Sequence, residues 1–173
     1  MQASCVPDTL RVGYKSCGLG KKEGLMALPP LTETGDLPLG VHQASLREVS
    51  NRFGGGSRQR IAVADRLERI YRLARGTGHL ARLVVFGSFV TRKPEPNDVD
   101  VFLVMDDAFS AEELQGEAVL LFDHAAADSH FGASVFWVRH LAALGGEQAT
   151  IEYWQVKRGG GQRGIVEIVE ETP

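Results

Sequence analysis

The hydrophobic pattern of the chain predicts two buried strands on either side of a short polar loop. Leu83 to Phe86 is an apolar run that stops at Gly87-Ser88, and a second apolar run extends from Val99 to Val104. Short apolar runs bounded by glycine and proline are typical of strands inside a sheet. The sequence therefore predicts a sheet in which these two strands are central neighbours.

Two later runs add strands to this sheet. Ala133 to Val138 is apolar apart from Ser134, and Ile165 to Val169 alternates in the manner of a half-exposed edge strand. With the helical segments between them, these runs predict an α/β fold with a mixed, partly antiparallel sheet and packed helices. We expect the functional site at the lip where strands 84–86 and 99–104 meet.

Helical periodicity predicts the remaining elements. Ser45 to Glu48 has the form of a capping box, and the helix that it opens should stop at Gly54. Ser57 to Arg75 repeats apolar residues at helical spacing, with arginines and glutamates on a face that we expect to be solvated. Ser110 to Glu113 resembles a second capping box, and Asp123 is a candidate start of a further short helix.

Composition narrows the class of protein. The chain has 173 residues, of which 43% are hydrophobic, and a net charge of -3. We expect a weakly patterned tail over residues 1–26, in which Cys5 and Cys17 are reduced thiols, and one domain over 27–173.

The net charge argues against broad attraction to a nucleic-acid backbone, although it allows a nucleotide ligand. No apolar stretch approaches the roughly 20 residues that span a bilayer, so we expect no membrane contact and a cytoplasmic location.

A pair of aspartates marks the start of the second central strand. Asp98 and Asp100 alternate with Val99, so their side chains share one face of the strand. Two neighbouring carboxylates repel each other and are costly to desolvate unless a cation joins them. Oxygen ligands of this kind suit hard divalent ions. The sequence therefore predicts a site for Mg²⁺ or Mn²⁺.

The loop before the aspartates is a candidate phosphate site. A strand that ends in Gly87 allows backbone N–H groups to approach a phosphate closely, and Ser88 can donate its hydroxyl. Thr91 and Lys93 in the following turn, and Arg163 near the later glycines, are further candidate donors to a nucleoside triphosphate.

The central stretch resembles the signature of a known superfamily. Gly87-Ser88, nine residues, and then Asp98-Val99-Asp100 between apolar strands is similar to the motif of the polymerase-β-like nucleotidyltransferases. The resemblance implies that Gly87 and Ser88 contact a nucleoside triphosphate. It also implies that Asp98 and Asp100 hold the metal while a nucleotidyl group passes to a protein, nucleic-acid or small-molecule hydroxyl.

A closer resemblance covers roughly residues 28 to 169. The segments LPPLTETGDLPLGVH, GSFVT…PNDVDVF and GIVEI are similar to those of a small family of uncharacterised, mainly bacterial, stand-alone nucleotidyltransferase-like proteins. This second resemblance implies a fold rather than an activity.

One position departs from the superfamily pattern. Active members carry a third acidic residue on a neighbouring strand, and the best-placed position here is occupied by Ser134. A serine does not replace a carboxylate as a strong metal ligand or general base near neutral pH. Two functions therefore stay open: a nucleotidyltransferase, and a catalytically weak or inactive nucleotide-binding module that acts with a protein partner, as in a toxin–antitoxin or phage-defence pair.

Overall fold

The computed structural model describes residues 28–143 and 145–170. The predicted tail, residues 1–26, lies outside this part. The strands are β1 (Val41–Ala44), β2 (Leu80–Phe86), β3 (Val99–Met105), β4 (Ala133–Arg139) and β5 (Ile165–Ile168). The helices are α1 (Leu46–Phe53), α2 (Arg58–Gly76), α3 (His124–Phe131) and α4 (Glu147–Tyr153), with short 3-10 helices at Ala111–Glu113, Gly116–Phe122 and His140–Ala142.

The five strands of the described chain form one mixed sheet in the order β1-β5-β2-β3-β4. The two inner pairings, β5 with β2 and β2 with β3, are antiparallel. The two outer pairings, β1 with β5 and β3 with β4, are parallel. The α/β fold with a mixed, partly antiparallel sheet is therefore confirmed.

Each face of the sheet is covered by a different set of helices. Val99, Val101 and Leu103 point to one face and pack against α1, α2 and α3 in the main hydrophobic core. Phe102 and Val104 point to the other face, where Ile151 of α4 covers them in a smaller core. Because alternate residues of a strand face opposite sides, Asp100 belongs to this second face.

Helices α1 and α2 begin directly after the capping serines that the sequence indicated. The hydroxyl of Ser45 accepts from the backbone N–H of Glu48 at the start of α1, and that of Ser57 accepts from Arg60 at the start of α2. Asp123 caps α3 by accepting from the N–H of Ala126. Capping residues of this type satisfy the free N–H groups of the first turn, which explains why the local sequence located these helices.

The prediction for the last strand is wrong in one respect. β5 is not a half-exposed edge strand, since it lies between β1 and β2 and all four of its residues are buried. Glu167, which made the strand look solvated, is 7% exposed. Its carboxylate accepts from Nε and Nη2 of Arg82 at 2.6 and 2.8 Å. A paired guanidinium removes the main cost of burying the charge.

The second predicted capping box does not form. Ser110 makes no side-chain cap, and the segments that follow are the 3-10 helices Ala111–Glu113 and Gly116–Phe122 rather than an α-helix. Gly116 has a φ of +65°, which an α-helix does not accommodate. Among the described residues, no helix is both long enough and apolar enough to cross a membrane.

Candidate functional site

Two carboxylates and a hydroxyl meet at one end of the sheet. Asp98 immediately precedes β3, and Asp100 is paired with Phe86 of β2 on one side and with Ser134 of β4 on the other. Residues paired across strands point to the same face. The Ser134 hydroxyl donates to Oδ2 of Asp98 at 3.5 Å. Ser134 therefore lies beside both aspartates, on the strand where a third acidic residue was expected.

The electrostatics of Asp100 reflect this crowding. Burial raises the pKa of Asp100, the negative charge of Asp98 raises it further, and the result is about 6. The positive charges of Arg158 and Arg163 and the hydrogen bond from Ser134 act in the opposite direction. The site thus holds a carboxylate whose ionisation is costly, and a bound cation would relieve that cost.

Gly87 allows the carboxylate of Asp100 to occupy its position. Its backbone φ is +78°, a conformation that residues with a side chain rarely adopt. A β-carbon at position 87 would overlap the carboxyl group of Asp100. The chain from Gly87 to Asp98 consists of turns and bends, and no helix begins at Gly87-Ser88. Backbone N–H groups of the loop, rather than a helix end, are therefore the candidate phosphate donors.

The buried side chain of Arg60 stabilises the loop that follows Gly87. The side chain of Arg60 is 7% exposed. Its guanidinium donates to four backbone carbonyl oxygens, those of Phe53 at 2.7 Å, Phe89 at 3.1 Å, Thr91 at 2.7 Å and Lys93 at 2.5 Å. The expectation that the arginines of α2 form a solvated face is therefore wrong for Arg60. The planar, multiply donating guanidinium suits a role that fixes the loop.

Two of the predicted phosphate donors have other surroundings. The buried hydroxyl of Thr91 donates to the carbonyl oxygen of Ser88 at 2.7 Å, so its hydrogen is used within the loop. Lys93 is exposed, and its backbone N–H donates to Oγ1 of Thr91. No contact between the Lys93 side chain and the aspartates is present in the described part of the chain.

A basic hairpin faces the carboxylates instead. Residues 156–162 are closed by an isolated bridge between Val156 and Gln162, and Arg158 and Arg163 lie close enough to Asp100 to lower its pKa. Arg163 is one of the predicted donors. Arg158 was not among the predicted donors, because a lone arginine in a glycine-rich turn carries no local signal of the carboxylate that it approaches.

The segment before β1 holds the basic hairpin in place. Asp36 accepts a hydrogen bond from Nζ of Lys157 at 3.0 Å, and its other oxygen lies 3.9 Å from Nη1 of Arg163. The backbone N–H of Gly40 donates to the buried side chain of Gln155 at 2.8 Å. Asp36 was not singled out from the sequence, because a single acidic residue in a turn carries no local signal.

The same segment also contacts the candidate phosphate loop, residues 87–98. The backbone N–H of Arg92 donates to the carbonyl oxygen of Gly35 at 2.8 Å. Gly35 has a φ of +84°, and a β-carbon there would lie 2.8 Å from Cβ of Arg92. The turn at residues 32–36 therefore links the loop after β2 to the hairpin before β5.

The donors at this site fit one hard divalent ion incompletely. Asp98 and Asp100 supply carboxylate oxygens, and their mutual repulsion favours a cation between them. No group of three or more His, Cys, Asp or Glu side chains that could hold an ion occurs within residues 28–143 and 145–170. A metal here would take its remaining oxygen ligands from a phosphate or from water, as Mg²⁺ commonly does.

Comparison with known proteins gives the family of the chain. The profile of a family of unknown function, DUF6932, matches residues 29–169, and the protein belongs to that family. The match begins in the segment that holds Asp36 and ends just after β5, so it includes every part of the site described above. Searches of curated proteins and of solved structures gave no match.

Proposed function

We propose that this protein is a metal-dependent nucleotidyltransferase that moves a nucleotidyl group from a nucleoside triphosphate to a hydroxyl of an acceptor. The observation that carries the proposal is the meeting of three features around Asp100. These are the second carboxylate of Asp98, the close approach of Gly87, and the positive charges of Arg158 and Arg163, which lower the pKa of Asp100.

Each part has a role in such a transfer. Asp98 and Asp100 would hold Mg²⁺, which when bound neutralises phosphate charge and supplies electrophilic assistance at phosphorus. The backbone N–H groups after Gly87 and the hydroxyl of Ser88 would position the triphosphate. Arg158 and Arg163 would offset the charge of the departing pyrophosphate.

The bond changes define what the site must do. The acceptor oxygen forms a bond to the α-phosphorus, the bond from that phosphorus to the bridging α–β oxygen breaks, and pyrophosphate leaves with its electron pair. The acceptor hydroxyl loses its proton. No third carboxylate stands beside Asp98 and Asp100 in the described residues, so water is the proposed proton acceptor. Transfer without a placed base is expected to be slow.

The test is transfer of labelled nucleotide. The protein is incubated with each α-labelled nucleoside triphosphate, Mg²⁺ or Mn²⁺, and acceptor pools of protein, RNA and small hydroxyl compounds. We expect label transfer that Asp98→Asn and Asp100→Asn each reduce at least 100-fold, because each removes a metal ligand. Asp65→Asn, a change at an exposed position of α2, is the matched control. Undiminished transfer in both site variants contradicts the proposal.

A second candidate function follows from Ser134. A site with two carboxylates and a hydroxyl can bind a metal-bound nucleotide without transferring it, as a sensing or interaction module acting with a protein partner. Calorimetry that gives nucleotide binding with Mg²⁺, together with no release of pyrophosphate, favours this function. Turnover at a rate typical of enzymes removes it.

Ser134→Asp distinguishes the two functions further. The aspartate would complete a three-carboxylate site next to Asp98 and Asp100, so transfer that rises well above that of the native protein identifies the serine as the limiting feature. Ser134→Asn is the control, since it adds similar bulk without a charge. An equal effect of the two substitutions means that packing, not the carboxylate, is responsible.

A further inference from the structure

Aromatic rings form a continuous cluster on the face of the sheet that carries the carboxylates. The ring centroid of Trp154 lies 4.6 Å from that of Phe86 and 4.6 Å from that of Phe136. The ring of His124 lies 4.9 Å from Phe136 on its other side. We call the surface made by His124, Phe136 and Trp154 the aromatic wall.

The register of the sheet places this wall next to the aspartates. Phe86 is paired directly with Asp100, so the two side chains stand side by side on one face. Ser134 is paired with Asp100 from the opposite strand, and Phe136 follows Ser134 by two residues on the same face. The aromatic wall therefore adjoins the carboxylate site along β4.

The wall presents part of its surface to solvent. Phe86 is 8% exposed, so it is a buried member of this aromatic cluster. Phe136 and Trp154 are half-buried, and His124 is exposed. Aromatic surface that remains accessible beside a charged site is a feature of ligand pockets, which combine apolar walls with a few polar groups.

Two of the three ring nitrogens of the wall are not available to a ligand. Nε1 of Trp154 is buried and has no hydrogen-bond partner among the described residues, so it is out of reach of a ligand. Nδ1 of His124 lies 3.2 Å from the carbonyl oxygen of Val135, which fixes the ring. Such a surface recognises a planar group by stacking, with little reading of its polar edge.

We propose that the aromatic wall binds the base of the nucleotide whose triphosphate is held by the loop after Gly87 and by the metal at Asp98 and Asp100. The inference rests on the proposed nucleotide function and adds where the base lies and how it is recognised. The register of the sheet makes the wall the aromatic surface that adjoins the carboxylates. Recognition by stacking predicts weak discrimination among bases, with purines bound more tightly than pyrimidines because their rings are larger.

Binding of ATP and of ribose 5-triphosphate tests this assignment, since the two compounds differ only in the base. Dissociation constants are measured by calorimetry with Mg²⁺ for the native protein, for Phe136→Leu and for Trp137→Leu. Trp137 is the matched control, because it is the next residue of β4 and its ring packs on the opposite face against Phe109 and Phe122. Thermal melting of each variant verifies folding.

The native protein is expected to bind ATP about tenfold more tightly than ribose 5-triphosphate, which is the scale of stacking on one aromatic surface. Phe136→Leu should bring that ratio to below about threefold while the affinity for ribose 5-triphosphate changes less than twofold. Trp137→Leu should keep the native ratio. Equal affinities in the native protein, or a ratio unchanged in Phe136→Leu, overturn the assignment of the base. Failure of both compounds to bind overturns the proposed nucleotide site itself.

Discussion

Gly87 and Asp100 approach so closely that a β-carbon at position 87 would lie 2.6 Å from Cγ and 2.9 Å from Cβ of Asp100. The glycine directly follows β2 and the aspartate lies opposite the end of that strand in β3, so the contact joins the candidate phosphate loop to the strand that carries the candidate metal ligand. A change at either residue therefore alters both halves of the site.

Gly87→Ala is the most direct test of this contact. The alanine must adopt a φ of +78° and displace the Asp100 carboxylate, so we expect a loss of about 1–3 kcal/mol in the free energy of unfolding. The affinity for ATP with Mg²⁺ should fall at least tenfold. Gly55→Ala, between α1 and α2, is the control, because no atom lies within 4 Å of a β-carbon there. Native affinity in Gly87→Ala would show that the contact is dispensable.

The pKa of Asp100 predicts how metal binding depends on pH. A metal ligand must be ionised, and the pKa of Asp100 is raised to about 6 by burial and by Asp98. The affinity for Mg²⁺ should therefore fall about tenfold per pH unit as the pH drops below 6, and it should level off above about 7. Calorimetric titration with Mg²⁺ from pH 5 to 7.5 measures it. A flat profile over this range contradicts a role for Asp100 as ligand.

The same shift predicts the pH dependence of stability in a chelating buffer. The pKa of Asp100 is higher in the folded protein than its ordinary value of 3.8, so the folded state binds more protons between pH 4 and 6. The free energy of unfolding should decrease as the pH rises through this interval, by on the order of 2 kcal/mol. Asp98→Asn removes one cause of the shift and should reduce this decrease. Urea unfolding at several pH values gives the profile, and an unchanged profile in Asp98→Asn would assign the shift to burial alone.

Arg60→Met tests how much the buried guanidinium stabilises the candidate phosphate loop. The substitution keeps much of the side-chain length but leaves four inward-facing carbonyl oxygens without their donor, so we expect a loss of at least about 2–3 kcal/mol. Arg58→Met, at an exposed position of the same helix, should stay within about 0.5 kcal/mol of the native protein. Chemical denaturation compares the two variants. Equal stabilities would mean that water replaces the guanidinium at no cost.

Asp36→Asn tests the attachment of the basic hairpin. It weakens the ion pair with Lys157 and the longer contact with Arg163, so amide hydrogen exchange in residues 156–163 should accelerate several-fold while global stability changes by less than about 1 kcal/mol. Glu33→Gln, an exposed neighbour in the same turn, is the control. Amide hydrogen exchange is measured by mass spectrometry. Unchanged exchange rates in the hairpin would show that backbone contacts alone hold the hairpin in place.

Local signals explain which parts of the fold could be predicted from the sequence. The capping serines of α1 and α2 and the apolar runs of β2, β3 and β4 act over a few residues, so their pattern is visible in the chain. The position of β5 is not local. Glu167 is made compatible with burial by Arg82, which is 85 residues away in sequence. A charged residue read alone therefore suggested an exposed edge.

The candidate site shows the same division. Gly87 and Asp98 lie near each other in sequence, so their spacing was informative. Arg60 could not be separated from the other arginines of α2, because only its tertiary surroundings distinguish it. Asp36 and Arg158 come to the site from distant segments, and nothing in their immediate sequence indicates the partner that each one meets.

β5 lies inside the sheet although it is the last strand in sequence, and this position determines when during synthesis the fold can be completed. A ribosome releases β1, β2, β3 and β4 before β5, yet β5 fills the space between β1 and β2. Until residue 168 has emerged, Ile165 and Val166 cannot complete the two cores, and β1 has no partner strand. The nascent chain therefore carries both aspartates long before β5 can join the sheet, so the candidate site is completed only when synthesis is nearly finished.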